Sequence, residues 1–169
     1  LAAQVEIDTA AHVVVLPYSS GTTGFPKGVM LTHRNLVANL CQSAPFFELG
    51  EDDVCFAVLP FFHIYGMQVL MNLALAHGAT LVTAPRFDLK TMLELVQEHR
   101  MTRLFLVPPI VLALAKHPIV DEYDMASVKQ IFSGAAPLPE DVAAAAAARL
   151  DCGIGQGYGL TETSPVLTT

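Results

Sequence analysis

Ten consecutive residues carry the densest chemistry in the chain. Ser19-Ser20-Gly21-Thr22-Thr23-Gly24-Phe25-Pro26-Lys27-Gly28 contains three glycines, four hydroxyls and one lysine. Glycines let the backbone turn with its N–H groups inward, forming an anion-binding nest. The hydroxyls add donors, and Lys27 adds a mobile positive charge. The guest that suits this set is a polyphosphate. A Walker A loop is disfavoured, because it needs GxxxxGK[ST], whereas Pro26 precedes Lys27 and Gly28 follows it. The bland alternative is a flexible hairpin rich in Gly and Ser.

Other candidates are weaker by themselves. His63 sits in the apolar stretch Pro60-Phe61-Phe62-His63-Ile64-Tyr65-Gly66, where a histidine is usually a satisfied core residue. The other five histidines show no metal-ligand spacing. Glu162 could cap a helix beginning near Thr161, since acids favour that end. Tyr158, Tyr65 and Phe132 could be ordinary packing residues, and Lys27 a solvated side chain.

Composition bounds the possibilities. The 169 residues (18.1 kDa) suit one domain at about 150 residues each. Apolar residues make up 53% and charged residues 15%, enough to bury a real core. Nine basic and sixteen acidic residues give a net charge of −7, which argues against a nucleic-acid partner. It does not exclude a mononucleotide, which one loop can hold. Cys41, Cys55 and Cys152 form no CxxC and read as buried thiols in a reducing compartment. The most apolar stretch, 64–82, is broken by Gln68, Asn72, His77 and Gly78, so no integral membrane segment is expected. The start carries acids and no basic signal-peptide region. Leu1 and Thr169 both look like cut ends of a longer protein.

Alternating strands and helices must position these groups. Strands are predicted over 12–18, 28–31, 54–59, 79–83, 103–107, 129–133 and 153–157. Helices are predicted over about 33–44 (capped by Thr32), 65–77 (stopped by Gly78), 89–100, 109–117 and 140–150. The alanine run within the last is a strong helix former and reads as a tightly packed or surface helix. The fold class is therefore α/β, a layered and largely parallel sheet with helices on its faces. In such sheets ligands sit at the carboxyl ends of the strands. The polar and glycine-rich segments follow Tyr18, Leu59, Phe132 and Gly157, so four loops at one sheet edge could line one site.

YSSGTTGFPKGVMLTH resembles the phosphate-binding signature of the adenylate-forming superfamily, which holds acyl- and aryl-CoA ligases, firefly luciferase and peptide-synthetase adenylation domains. Three more segments match in order. Pro60 to Gly66 resembles the loop with the family's acid-pocket histidine. Ser133-Gly134-Ala135-Ala136-Pro137-Leu138 resembles the adenine-side loop. Gly155-Gln156-Gly157-Tyr158-Gly159-Leu160-Thr161-Glu162-Thr163 resembles the nucleotide and magnesium motif. LVPPIVLALAKHP and YDMASVKQIFSGAAPL are similar to 4-coumarate–CoA ligase-like enzymes. The resemblance covers nearly the whole chain.

It implies the following roles. Ser19, Ser20, Gly21, Thr22, Thr23, Gly24 and Lys27 would hold the β- and γ-phosphates of ATP. Thr161 would bond the α-phosphate, and Glu162 would bind Mg2+. Gly134, Ala135 and Ala136 would flank adenine, with the Tyr158 ring on its other face. Gln156 and Gly157 would line the junction of nucleotide and acid, with Gly159 in the same motif. His63 would sit by the substrate carboxylate, and Tyr65 and Phe132, with Gly157, would shape the acyl pocket. Lys27, His63, Thr161 and Glu162 would form the catalytic set.

The implied activity is ATP-dependent activation of a carboxylic acid, followed by transfer to coenzyme A in the cytoplasm. An aryl acid such as a hydroxycinnamate fits best, and a medium- or long-chain fatty acid comes second. A nucleotide-binding module without catalysis, an adenylation domain loading a carrier protein and a structural domain are the alternatives. Residues 1–169 would be a central fragment of a large N-terminal AMP-binding domain, without the C-terminal lid domain and inactive alone.

Overall fold

The β-branched run near the start folds as two pieces. In a computed structural model, which describes residues 5–19 and 25–169, β1 (Val13–Val15), β2 (Tyr18–Ser19), β3 (Lys27–Gly28) and β4 (Leu31–Thr32) form two antiparallel pairs, β1 with β4 and β2 with β3. Leu16 and Pro17 separate β1 from β2, because proline has no N–H to continue a ladder. The Pro17 carbonyl still accepts from Val29 N–H at 2.9 Å. The strands predicted over 12–18 and 28–31 are therefore each split.

Thr32 and Asn35 start the next helix reciprocally. The Thr32 hydroxyl accepts from Asn35 N–H, and Asn35 Oδ1 accepts from Thr32 N–H at 3.0 Å. The helix α1 (His33–Phe47) runs three residues past its predicted end, through Pro45, to Glu48 in the left-handed region.

Five parallel strands follow: β5 (Val54–Ala57), β6 (Thr80–Thr83), β7 (Arg103–Leu106), β8 (Gln130–Ser133) and β9 (Gly153–Gln156), in the order β6-β5-β7-β8-β9. Their helices are α2 (Leu73–Ala76), α3 (Leu89–His99), α4 (Pro108–Lys116) and α5 (Glu140–Leu150). A short 3₁₀ turn, Pro118–Glu122, extends α4. The helix predicted over 65–77 begins as a π-helix, Tyr65–Asn72, and only then becomes α2. Leu73 N–H reaches the Gln68 carbonyl, five residues back. Its start is pressed onto the preceding turn, where a Cβ on Gly66 would lie 2.2 Å from the Pro60 carbonyl oxygen. Apolar spacing over eight residues does not separate a π-turn from an α-turn.

Strand alternation divides the core. Phe56, Leu104, Leu106 and Ile131 meet α3, α4 and α5 on one face. Cys55, Ala57, Phe105 and Phe132 meet Phe47, Tyr65, Val69 and Leu73 on the other. The chain leaves β5 outward to β6 and returns past it to β7. With crossovers of one hand, that reversal moves the connecting helices to the opposite face. It also opens a crevice at the strand ends, where α/β proteins bind ligands. No helix among the described residues is long and apolar enough to cross a membrane.

Candidate functional site

A cavity of about 590 Å³ opens at the carboxyl edge of the sheet. All four predicted loops reach it. Ser19 and Lys27 come from the β2–β3 pair, and His63 and Tyr65 from the turn after β5. Phe132, Gly134 and Ala135 come from the end of β8. Gly157, Tyr158, Gly159, Thr161 and Glu162 come from the segment after β9. Ser20, Gly21, Thr22, Thr23 and Gly24 lie outside the described residues.

Two expected wall residues are placed elsewhere. Ala136 is exposed and does not line the cavity. Gln156 turns its amide away, and its Oε1 accepts from Leu138 N–H at 3.2 Å. It thus braces the 134–138 loop from behind. A strand-end residue points to one side only, and here that side is the loop.

The segment after β9 folds on itself. β10 (Tyr158–Gly159) pairs antiparallel with β11 (Val166–Thr168) around a single 3₁₀ turn, Thr161–Thr163. A Cβ on Gly159 would lie 2.0 Å from the Pro165 carbonyl oxygen, so this tight closure needs glycine. The turn is too short to be a helix that Glu162 caps. Instead Glu162 is exposed at the cavity, and its Oε1 accepts from Ser19 Oγ at 3.2 Å. The first and last motifs, 143 residues apart, thereby touch.

His63 is oriented by its own turn. Its Nδ1 accepts from Tyr65 N–H at 3.2 Å, so the neutral ring carries its proton on Nε2. Tyr65 is buried, and its hydroxyl bridges the carbonyls of Leu106 (3.3 Å) and Phe132 (3.2 Å). Burial pushes this phenol well above its ordinary value, so it stays a neutral donor. It ties the ends of β7 and β8 together. Gly134 permits the close approach, since a Cβ there would sit 3.0 Å from the Tyr65 ring.

Phe132 makes the floor. Its ring meets Phe47 edge-on at 4.7 Å and would lie 2.6 Å from a Cβ on Gly157. Ala135 adopts φ 71°, a left-handed conformation that costs a residue with a Cβ about 1–3 kcal/mol and concentrates at functional sites. Tyr18, Ile64, Val69, Leu160, Pro165 and Val166 also line the cavity and were missed in the sequence. Val69 had a signal, standing four residues after Tyr65 on one helical face.

The charged lining is sparse. Lys27 and Glu162 are its ammonium and carboxylate among the described residues. No cluster of three His, Cys, Asp or Glu that could hold a metal occurs among them. A lone exposed carboxylate with hydroxyls nearby suits Mg2+, which keeps waters and takes phosphate oxygens rather than a protein cage.

The cysteines correct one expectation, because Cys41 is exposed while Cys55 is buried and Cys152 half-buried. Burial, helped by the Asp53 charge, pushes the Cys55 thiol up to about 12. Burial likewise raises Cys152 to about 11. No cysteine lines the cavity.

The chain is similar to known proteins over almost its whole length. Parsley (Petroselinum crispum) 4-coumarate–CoA ligase 2 is 47% identical over 97% of the chain, which covers 31% of that protein. The red-emitting luciferase of Phrixothrix hirtus superposes with a TM-score of 0.87 at 35% identity, over 96% of this chain and 31% of the luciferase. ATP-bound MatB of Rhodopseudomonas palustris superposes at 0.82 with 32% identity, over 90% of this chain and 30% of MatB. The chain spans about a third of the length of such relatives. The AMP-binding enzyme profile matches residues 2–169, with the four motif loops inside the match and gathered at one sheet edge, and the chain belongs to that family.

Proposed function

We propose that the protein carrying this chain is an acid–CoA ligase. It joins a carboxylic acid to the α-phosphorus of ATP, releases pyrophosphate, and passes the acyl group from the adenylate to the thiol of coenzyme A. The observation that carries this is the convergence of Lys27, His63, Tyr158, Thr161 and Glu162 on one cavity.

The reaction brings two anions together, so positioned donors and positive charge lower its barrier. Lys27 and the residues 19–24 would take the β- and γ-phosphates. Thr161 would hold the α-phosphate, and Ala135 and Tyr158 would bracket adenine. His63, with Nδ1 already satisfied, has Nε2–H free to donate to the acid carboxylate. Glu162 would hold Mg2+, which supplies Lewis-acid stabilisation of the phosphoryl oxygens. Breaking the Ser19–Glu162 contact would free both groups for nucleotide and metal. Alignment of acid and nucleotide removes up to about 7–11 kcal/mol of entropic barrier in favourable systems.

An aryl acid, and a hydroxycinnamate in particular, is the proposed substrate. It is supported by the aromatic and aliphatic floor of Phe132, Val69 and Val166 and by the similarity to a 4-coumarate–CoA ligase. Residues 1–169 would form the central part of a larger nucleotide-binding domain completed by a C-terminal lid domain. The cytoplasm supplies ATP and coenzyme A and is the proposed compartment.

The test is acid-dependent exchange of labelled pyrophosphate into ATP by the whole protein, with p-coumarate and with dodecanoate, followed by addition of coenzyme A. Exchange with p-coumarate and then p-coumaroyl thioester formation is expected. Exchange with dodecanoate alone would replace the aryl substrate by a fatty acid. Exchange without thioester would overturn coenzyme A as acceptor. No exchange with either acid would overturn the ligase proposal.

A further inference from the structure

Asn39 lies at the middle of α1, outside the cavity wall, and is 4% exposed. Its Nδ2 donates both hydrogens to the loop that carries Thr161 and Glu162. One goes to the Thr163 carbonyl at 3.3 Å and the other to the Val166 carbonyl at 2.8 Å. Among the described residues its Oδ1 is buried without a partner. A buried unpaired acceptor is costly, and asparagine is a middling helix former, so neither local structure nor packing favours this residue here. What it gains is the loop.

The loop's other bonds explain why a pin matters. Leu160 N–H donates to Thr163 Oγ1 and to the Pro165 carbonyl, and the Thr163 hydroxyl contacts the Pro165 carbonyl. These close the turn upon itself and do not fix where it stands. Among the described residues, and apart from the short β10–β11 ladder, the hydrogen bonds joining 160–166 to other elements are the Asn39 pair and Ser19 to Glu162. The latter must open when nucleotide and metal arrive. Asn39 remains.

Its helix also has a fixed footing. Gln68 of the π-helical segment donates to the Leu36 carbonyl of α1, and Asn72 donates to Gln68 Oε1 at 2.9 Å. Ser43 Oγ donates back to the Asn39 carbonyl at 2.7 Å. α1 is thus tied to the segment that begins at Tyr65, and the loop is tied to α1.

We infer that Asn39 is a positioning residue, which sets the Thr161–Glu162 turn at the height the α-phosphate requires. Its catalytic consequence rests on the ligase function proposed above; the loop pin itself does not. The two carbonyls it holds flank Ser164 and Pro165, between the turn and the cavity residue Val166.

The test uses the whole protein with Asn39→Asp, which keeps the shape but removes both donors, beside Asn39→Ala. The readouts are the kinetics of acid-dependent pyrophosphate exchange and amide hydrogen exchange across 157–168. A displaced turn should lower kcat by about 100-fold while KM for the acid moves by less than about threefold. Amides of 157–168 should exchange faster, with β5, β7 and β8 unchanged. Wild-type kcat within about twofold, or a fall in kcat without faster exchange in 157–168, would overturn the inference. So would loss of protection spread evenly over the sheet, the mark of an ordinary core residue. If the Asp variant fails to fold, the Ala variant carries the same readouts. If the unsubstituted protein exchanges no pyrophosphate with any acid, the ligase function falls. Protection at 157–168 then decides the pin, faster exchange in the variants keeping it and unchanged exchange ending it.

Discussion

The two edges of the parallel sheet treat polar groups in opposite ways. At the amino edge, Asp53 is buried and satisfied from all sides. Its carboxylate accepts from Thr102 Oγ1 at 2.6 Å, Arg103 Nε at 3.2 Å and Gly50 N–H at 3.1 Å. Arg103 also donates to Gln130 at 2.6 Å and to the Glu48 carbonyl at 3.2 Å. Burial alone would raise the Asp53 carboxyl, but the bonds from Thr102, Arg103 and Gly50, with the guanidinium charge, outweigh it. They hold the carboxyl below its ordinary 3.8. At the carboxyl edge, Lys27, His63 and Glu162 are exposed, and among the described residues Glu162 has one hydroxyl partner. Asp53 spends its bonds on the protein, whereas the exposed groups at the cavity would keep most of theirs for the proposed ligand.

Glu162→Ala in the whole protein puts the contrast to its strongest test. Loss of a single charge-stabilising group should lower pyrophosphate exchange on the order of 100- to 1000-fold. Thermal unfolding should stay within about 0.5 kcal/mol of wild type, as for other exposed sites. Equal losses of stability and activity would count against the metal role.

Asp53→Ala should do the reverse. Leaving the guanidinium of Arg103, 15% exposed, without its carboxylate should cost about 3 kcal/mol in denaturant unfolding. Exchange per folded molecule should be unchanged. Asp53 also sharpens the comparison through pH. Its folded pKa is depressed, so its contribution is present above the unfolded value and is lost as pH falls through the lower folded value. Urea unfolding below about pH 4 should therefore be less pH-dependent in Asp53→Asn than in wild type. Parallel acid limbs would refute this.

Tyr65→Phe has the smallest expected effect. It removes one buried donor shared by two carbonyls and should cost about 1 kcal/mol in urea unfolding. Because burial holds the phenol well up, the loss should be the same at pH 6 and pH 9. A loss confined to high pH would show that the phenol ionises.

Much of this was legible in the residues. Helix α5 begins and ends where acids, alanines and Arg149 place it. Asn39 and Gln68 were not legible, because a buried amide inside a helix looks like any polar interruption until its carbonyl partners, over a hundred residues away for Asn39, are seen. The placement of Gln156 outside the cavity lining was hidden for the same reason, because its amide oxygen answers to Leu138 N–H.

The sequence by itself determined the strand and helix alternation, the sheet edge where the motifs gather and the residue types that suit a polyphosphate and Mg2+. These depend on local periodicity, turn chemistry and charge, which neighbours along the chain supply. Tertiary structure decided the split first strand pairs, the π-turn at Tyr65, the exposure of Cys41 and the bonds that Glu162, Asn39 and Gln156 make. Each of these depends on a partner brought close only when the sheet and its helices have packed, and no spacing within the chain encodes that distance.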